Sequence, residues 1–364
     1  MTRLIVAAGG GGDAVASAML HAALYGDEDQ AVILTYAWDR LLVDPVPGPR
    51  GADSFTGLEP LTRSVWSVPA EAQPIAPAGS TLPRLAAELP HTLALLDPQH
   101  GAEGITRQLE ELVDHLSPTS IDLLDVGGDI LAQGDEPTLK SPLADALTLA
   151  ASCQVNAPVR LLVAGPGLDG EIAPEILRPA FGPLVHTFTA GDTEAVGDVL
   201  EWHPSEATAM LAATARGARG ICEVRDAGLP VALTDEGSTV HEVDLDDALS
   251  RNALARAIMT TATLDEAEAH SREVCDFSEI DYERNKAAWL TEQPSTKLDP
   301  ADVLSRLDEF QAEARARGVS HTTFRHITEA LNLNGCHRDE LRQLLIRSRP
   351  EQYAAPLWRI PADD

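Results

Sequence analysis

The sequence predicts an α/β protein built on a doubly wound, mainly parallel sheet, with a small helical appendage at its C-terminal end. Three observations carry that prediction. Apolar runs of strand length alternate with stretches of helical periodicity. Three of those runs are followed by loops rich in glycine and acid. Beyond residue 297 the periodicity is helical, behind a polar linker that carries a proline.

The elements follow in order. RLIVAA reads as a buried strand and AVASAMLHAAL as the helix after it; AVILTY is the second strand. Residues 44–83 are rich in Pro, Gly and Ser without clear periodicity, which suits a lid or a surface loop. RQLEELVDHL is an amphipathic helix, IDLLDV a strand, SPLADALTLAASC a helix and VRLLVAG a strand. EATAMLAATARG is helical, and ICEVRD and PVALTD are strand-like. Such alternation places helices on both faces of a sheet in a Rossmann-like arrangement. Residues 265–290 are helical, with Trp289 near the end, and TEQPSTKLDP is the linker. ADVLSRLDEFQAEARARG, HTTFRHITEALNL and RDELRQLLIRS follow as helices. The expected units are an α/β domain over 1–292 and a helical appendage over 298–350, packed on that domain or on a second subunit of a homo-oligomer.

Composition narrows the function. Among 364 residues, 27 are basic and 57 acidic, a formal net charge of −30. That charge opposes a phosphodiester backbone or an anionic membrane surface as partner. Hydrophobic residues at 44% are enough for a sizeable core. Cys153, Cys222, Cys275 and Cys336 are scattered, which fits a reducing compartment and argues against a zinc knuckle. MTRLIVAAGGGGD is broken by glycines too early for a signal peptide, and no apolar run reaches membrane-spanning length. A cytoplasmic protein acting on a small molecule, with neither nucleic acid nor membrane as partner, is the expectation. GVSHTTFRHITEALNL is loosely similar to a helix-turn-helix, but the C-terminal region lacks a basic surplus.

The candidate chemistry sits in three loops. Gly9, Gly10, Gly11, Gly12 and Asp13 join a strand to a helix, where free N–H groups suit a phosphate or carboxylate; Asp13 is near an N-cap position. The pattern is neither G-x-G-x-x-G nor a P-loop. Asp125 closes an apolar strand, and Asp129 lies four residues on, past Gly127 and Gly128. Two carboxylates around such a turn can converge on Mg²⁺ or on a cationic substrate group, or they fix the loop by hydrogen bonds. Glu136, Ser141 and Asp145 follow, with Ser141 placed to cap the next helix. The third loop, GPGLDGE, offers Gly167, Asp169 and Glu171. In open parallel sheets ligands bind at the carboxyl ends of strands, and all three loops leave there. A fourth segment, EWHPSEATAML, offers His203 as an acid or base and Ser205 as a ligand or an N-cap; His186 is a weaker candidate. The catalytic candidates are therefore Asp125, Asp129, Asp169, Glu171 and His203.

These stretches resemble a prokaryotic family catalogued as domain of unknown function 1152. The resemblance rests on VAAGGGGDAVASA, GSTLPRLA, LLDPQHGAEGI, LLDVGGDILAQGDEPTLKSPLADALTLAA, LLVAGPGLDGE and HPSEATAMLAATARGARG. It covers residues 1 to about 290 and implies a single α/β unit with these loops as its signature. It implies no particular reaction.

Two function classes remain. One is an enzyme for group transfer or hydrolysis on a small polar metabolite, with the glycine loop holding an anion and the acids holding a divalent metal or an amine. The other is a non-catalytic sensor whose C-terminal helices relay ligand binding. The carboxylates favour the enzyme, since metal-assisted chemistry needs them and a sensor does not. Hydride transfer is disfavoured because the dinucleotide fingerprint is not met.

Overall fold

The computed structural model describes residues 2–26, 29–225, 228–292, 298–333 and 335–362. The chain opens with β1 (Thr2–Ala7), α1 (Gly11–Tyr25) and β2 (Gln30–Tyr36). Four two-residue strands follow, β3 (Phe55–Thr56), β4 (Glu59–Pro60), β5 (Trp66–Ser67) and β6 (Gln73–Pro74). Next come α2 (Leu82–Glu88), β7 (Thr92–Leu96), α3 (Gly101–Leu116), β8 (Ile121–Val126), α4 (Pro142–Ser152) and β9 (Val159–Ala164). Then α5 (Pro174–Leu177), β10 (Phe181–Thr187), α6 (Gly197–Leu200), α7 (Glu206–Ala215), β11 (Gly220–Val224), β12 (Leu229–Leu233) and β13 (Thr239–Val243). After α8 (Leu245–Arg251), α9 (Ala253–Ile258), α10 (Leu264–Cys275) and α11 (Glu279–Glu292) comes α12 (Pro300–Ala316). The C-terminal part adds β14 (His321–Thr322), α13 (Phe324–Ala330), α14 (Arg338–Ser348), β15 (Tyr353–Ala354) and β16 (Leu357–Arg359).

Nine strands form the main sheet in the order β10-β13-β9-β8-β1-β2-β7-β5-β4. The five central strands run parallel, as the pairings of β1 with β2 and β8, β2 with β7, and β8 with β9 require. Antiparallel strands finish both edges. Counted by appearance, the parallel strands lie in the order 3-2-1-4-5, so the direction of winding reverses between β1 and β8.

The central strands are apolar without alternation because both sheet faces are covered. Ile5 and Ala7 of β1 pack with Val15 and Met19 of α1 and Leu211 of α7. Leu4 and Val6 face the other way, toward Leu109 of α3 and Leu147 of α4. Each such buried aliphatic contributes roughly 1.5–3 kcal/mol, so the two layers hold the carboxyl edge of the sheet rigidly.

Three sequence readings change in detail. Residues 44–83 are not structureless: β4 and β5 extend the main sheet, while β3 and β6 pair with each other. ICEVRD and PVALTD do form strands, but as an antiparallel hairpin in a second sheet ordered β12-β11-β14-β16-β15. The C-terminal part is therefore not helical alone. Its β14 pairs in parallel with β11, Cys222 opposite His321, and Leu357 of β16 joins the core of the α/β body. Strands of two or three residues are too short to show a period of two.

Candidate functional site

The three loops predicted from the sequence sit together at the carboxyl edge of β1, β8 and β9. Gly10 takes the N-cap position of α1, and Asp13 stands in its first turn. From there the Asp13 carboxylate reaches back and accepts the Gly9 N–H at 2.9 Å, with the Val126 backbone at the end of β8 beside it. One side chain thus stands between the first loop and the strand that leads into the second. The second and third loops meet where Gly167 donates its N–H to the Gly127 carbonyl at 2.6 Å. Gly127 has φ near +119°, and a Cβ there would collide with the Asp169 carboxylate. Only glycine lets this close approach form.

Four aspartates of this edge are buried: Asp13, Asp125, Asp129 and Asp145. Asp125 and Asp145 are 1% and 2% exposed. One oxygen from each of Asp13, Asp125 and Asp145 lies within 4.8 Å of the others, a spacing that fits one cation. Asp145 comes from the first turn of α4. Asp129 stands beside the trio, its carboxyl next to that of Asp125. The sequence paired Asp125 with Asp129 as metal ligands, whereas the geometry puts Asp13 and Asp145 with Asp125. The α4 acid is distant in sequence, and its first-turn position has an ordinary explanation in the helix dipole.

The electrostatics follow from crowding. Burial pushes the Asp13 carboxyl up to about 7. Burial first, and then the charges of Asp13 and Asp169, hold Asp125 well above the usual carboxylate range. Asp129 and Asp145 are raised by burial and by their acidic neighbours, and Asp169 rises to about 7 by burial and the nearby Glu171. Asp125 Oδ2, Asp145 Oδ1 and Asp169 Oδ2 are buried without a hydrogen-bond partner. Buried carboxylates left in this state cost stability unless protons or a cation neutralise them. An all-oxygen set suits a hard divalent ion such as Mg²⁺ rather than Zn²⁺.

Glu171 differs from these acids. Its carboxylate accepts the Lys140 and Ser141 N–H groups at 2.6 and 3.0 Å and the Ser141 hydroxyl at 2.6 Å. It also pairs with Arg225 at 2.7 Å. Its oxygens are committed to holding the start of α4. Ser141 is the residue before that helix, but its hydroxyl is turned to Glu171 instead of capping. Glu136 similarly fixes its own loop by accepting from Gln133 and Gly134.

His203 and Ser205 reach the first loop from the other side. A Cβ on Gly11 would be 3.7 Å from His203 Nε2, and one on Gly12 would collide with the Ser205 hydroxyl. Ser205 caps α7 by accepting from the Thr208 N–H, and the Thr208 hydroxyl donates to the Gly12 carbonyl at 2.8 Å. Gly10 lies against the Trp38 carbonyl, and Gly128, with φ near +109°, against Leu177. His186 is elsewhere, on the edge strand β10, paired with Asp192 at 3.1 Å.

Sequence reasoning missed Asp39 and Thr81. Asp39 follows β2 as Asp125 ends β8, and it accepts the Thr81 hydroxyl at 2.7 Å beside Gly11. The signal, an acid after an apolar run, was present but masked by the intervening Ala37 and Trp38. Thr81 also lines a cleft of about 260 Å³ with Ser80, Arg84, Trp202 and Arg338. Among the described residues no helix is long and apolar enough to cross a membrane.

No curated protein and no solved structure matches the chain. A family model described as "Protein of unknown function (DUF1152)" does match, over residues 4–287, a span that takes in all three loops and the His203–Ser205 turn. The chain therefore belongs to the DUF1152 family.

Proposed function

We propose that this chain is an enzyme of group transfer or hydrolysis acting on a small polar metabolite, with a divalent cation such as Mg²⁺ held by Asp13, Asp125 and Asp145. The observation that carries the reading is the trio of convergent carboxylates with unpartnered oxygens on Asp125 and Asp145. A binding module that only recognises a metabolite has no need of three mutually repelling buried acids. Such an ion would supply Lewis-acid polarisation of the reacting group.

The frame supports the same reading. The parallel strand order 3-2-1-4-5 supports reading the sheet as doubly wound and Rossmann-like, an architecture in which ligands sit where the winding reverses. That point lies between β1 and β8, the strands that lead into the Gly9–Asp13 and Asp125–Asp129 loops. The glycine loop at the start of α1 suits an anionic group of the substrate, because its backbone can be approached closely and its first N–H groups are uncapped by side chains. Asp129 and Asp169 border the trio and are the candidates for moving a proton: burial and acidic neighbours raise both, and Asp169, at about 7, can give or take one near neutrality.

The test is a thermal-shift titration of the purified chain with Mg²⁺ and Mn²⁺, alone and then with small phosphorylated metabolites. A ligand at about 100 times its Kd adds roughly 2.7 kcal/mol of stability. Absence of any shift with either ion removes the metal from the reading.

A further inference from the structure

Four buried hydrogen-bond donors without acceptors surround one cavity at the seam between the α/β body and the C-terminal part. The cavity is lined by His203, Ser205, Arg325, Arg338 and Arg342, among others. Arg325 Nε, Arg338 NH1, Arg342 Nε and His203 Nε2 are each buried with no hydrogen-bond partner. The His203 assignment as a donor is geometric. Its Nδ1 accepts the Ser205 N–H at 3.3 Å, so a neutral ring carries its proton on Nε2.

The acids nearby do not satisfy these donors. Glu206 pairs with Arg325 NH1 at 3.3 Å and also accepts from Thr323 and from the Arg225 N–H. Asp339 takes Arg338 through Nε and NH2, at 3.2 and 3.0 Å. Glu201 takes Arg342 NH2 at 2.5 Å. Arg338 and Arg342 are thus anchored by one edge and leave a nitrogen over, while Arg325 Nε has the Glu329 carboxylate 3.6 Å away, an ion pair beyond hydrogen-bond reach. Such fixed arginines are preorganised for an oxyanion, whose unprotonated oxygens only accept.

Size narrows the ligand. The cavity has about 30 Å³ of room. A single water needs about 10–15 Å³, so the space suits a terminal oxyanion and not a whole nucleotide. It shares Trp202 and Arg338 with the 260 Å³ cleft, which is also lined by Thr81. Thr81 and His203, one from each lining, both stand beside Gly11 of the glycine loop.

We propose that this cavity is an oxyanion site that takes a phosphoryl group, completed by Arg325, Arg338 and Arg342 of the C-terminal part. On the reading of the acidic cluster as a metal-assisted centre, it holds the far end of a phosphorylated substrate. The arginines lie beyond the stretch matched by the family model, which ends at residue 287, so the C-terminal part adds specificity to the shared body.

The test is isothermal titration of the full chain with inorganic phosphate, for the wild type, R338Q and R342K, with the Mg²⁺-induced thermal shift recorded on the same samples. R338Q removes the guanidinium common to both cavities, and R342K keeps a charge but loses Nε. The wild type should bind phosphate saturably. R338Q should weaken that binding about tenfold, the loss of one charge-assisted hydrogen bond, and R342K should weaken it measurably. Both variants should keep the wild-type Mg²⁺ shift. If R338Q does not fold, R342K alone decides. No saturable binding by the wild type overturns the proposal, as does binding that the folded variants retain at full strength. A wild type that binds phosphate but shows no Mg²⁺ shift supports this site and removes the metal from the acidic cluster.

Discussion

The Ser205 backbone N–H points at Nδ1 of His203, 3.3 Å away, and so fixes the tautomer of a buried imidazole. Burial, with the Arg338 charge adding to it, pushes the His203 pKa down to about 3. The folded state therefore refuses a proton that the unfolded chain accepts near its ordinary value of 6.5. The sign follows directly: the folded pKa is depressed, so stability is whole above the unfolded pKa and declines as pH falls toward the folded one. His203 should stay neutral through the physiological range and serve as a donor, not as a general acid. Imidazole resonances assigned by NMR should show that His203 does not titrate between about pH 5 and 8. Assignment of a pKa near 6.5 to His203 would refute this.

Asp125→Asn and Asp145→Asn should separate charge from shape. Each keeps the side-chain volume and removes a carboxylate from a crowded buried set. Without metal, the melting temperature of each variant should hold or rise, by the equivalent of about 1 kcal/mol. The Mg²⁺-induced shift should disappear in both. Asp129→Asn should weaken that shift less, because Asp129 lies beside the trio. Variants that melt early and still respond to Mg²⁺ would make these aspartates structural.

Much of the candidate site was legible because its logic is local. An acid or glycine after an apolar run marks a strand end, and strand ends of a parallel sheet share an edge; Asp13, Asp125 and Asp169 were found that way. Asp145 was noticed but not assigned, since an acid in the first turn of α4 needs only the helix dipole to explain it. The role of Glu171 was illegible. Its partners Ser141 and Arg225 are 30 and 54 residues away, and nothing in a local pattern foretells four donors on one carboxylate. The second sheet was hidden for the same reason, because β11 pairs with β14 about a hundred residues later through only two register partners. Arg338 and Arg342 lie on a helix whose periodicity says nothing of a cavity, and only the docked C-terminal part brings them to one.

Gly127→Ala should be far costlier than Gly217→Ala. Both glycines have positive φ, near +119° and +93°. A Cβ at Gly217 meets nothing within 4 Å, so only backbone strain of about 1 kcal/mol applies. At Gly127 the same strain is joined by a collision with Asp169, whose carboxylate is also held by the Glu171 N–H at 2.8 Å. Displacing Asp169 disturbs both loops, and roughly 3 kcal/mol or more in total is expected. Denaturant unfolding of the two variants side by side measures the difference. Equal costs would mean that the loops are not packed as described.

Glu171→Gln should behave in the opposite way to Asp125→Asn. The Glu171 carboxylate receives two backbone N–H groups, one hydroxyl and the Arg225 guanidinium, all within 3.0 Å. Glutamine keeps one acceptor oxygen but turns the other position into an NH₂ donor. That group then faces donors, whichever way the amide is flipped. Arg225 loses its counter-charge while the start of α4 loses acceptors for Lys140 and Ser141. Breaking a buried pair from one side costs about 3–5 kcal/mol, most of it from the partners left unpaired. Asp145 sits one turn into the same helix, so the loosened α4 should also blunt the Mg²⁺ response, but only as a consequence of lower stability. The discriminating measurement is Mg²⁺ affinity under conditions where Glu171→Gln is fully folded. Affinity close to that of the wild type there, with a much lower melting temperature, identifies Glu171 as the residue that positions α4. A metal response abolished in the folded variant would place Glu171 among the ligands instead.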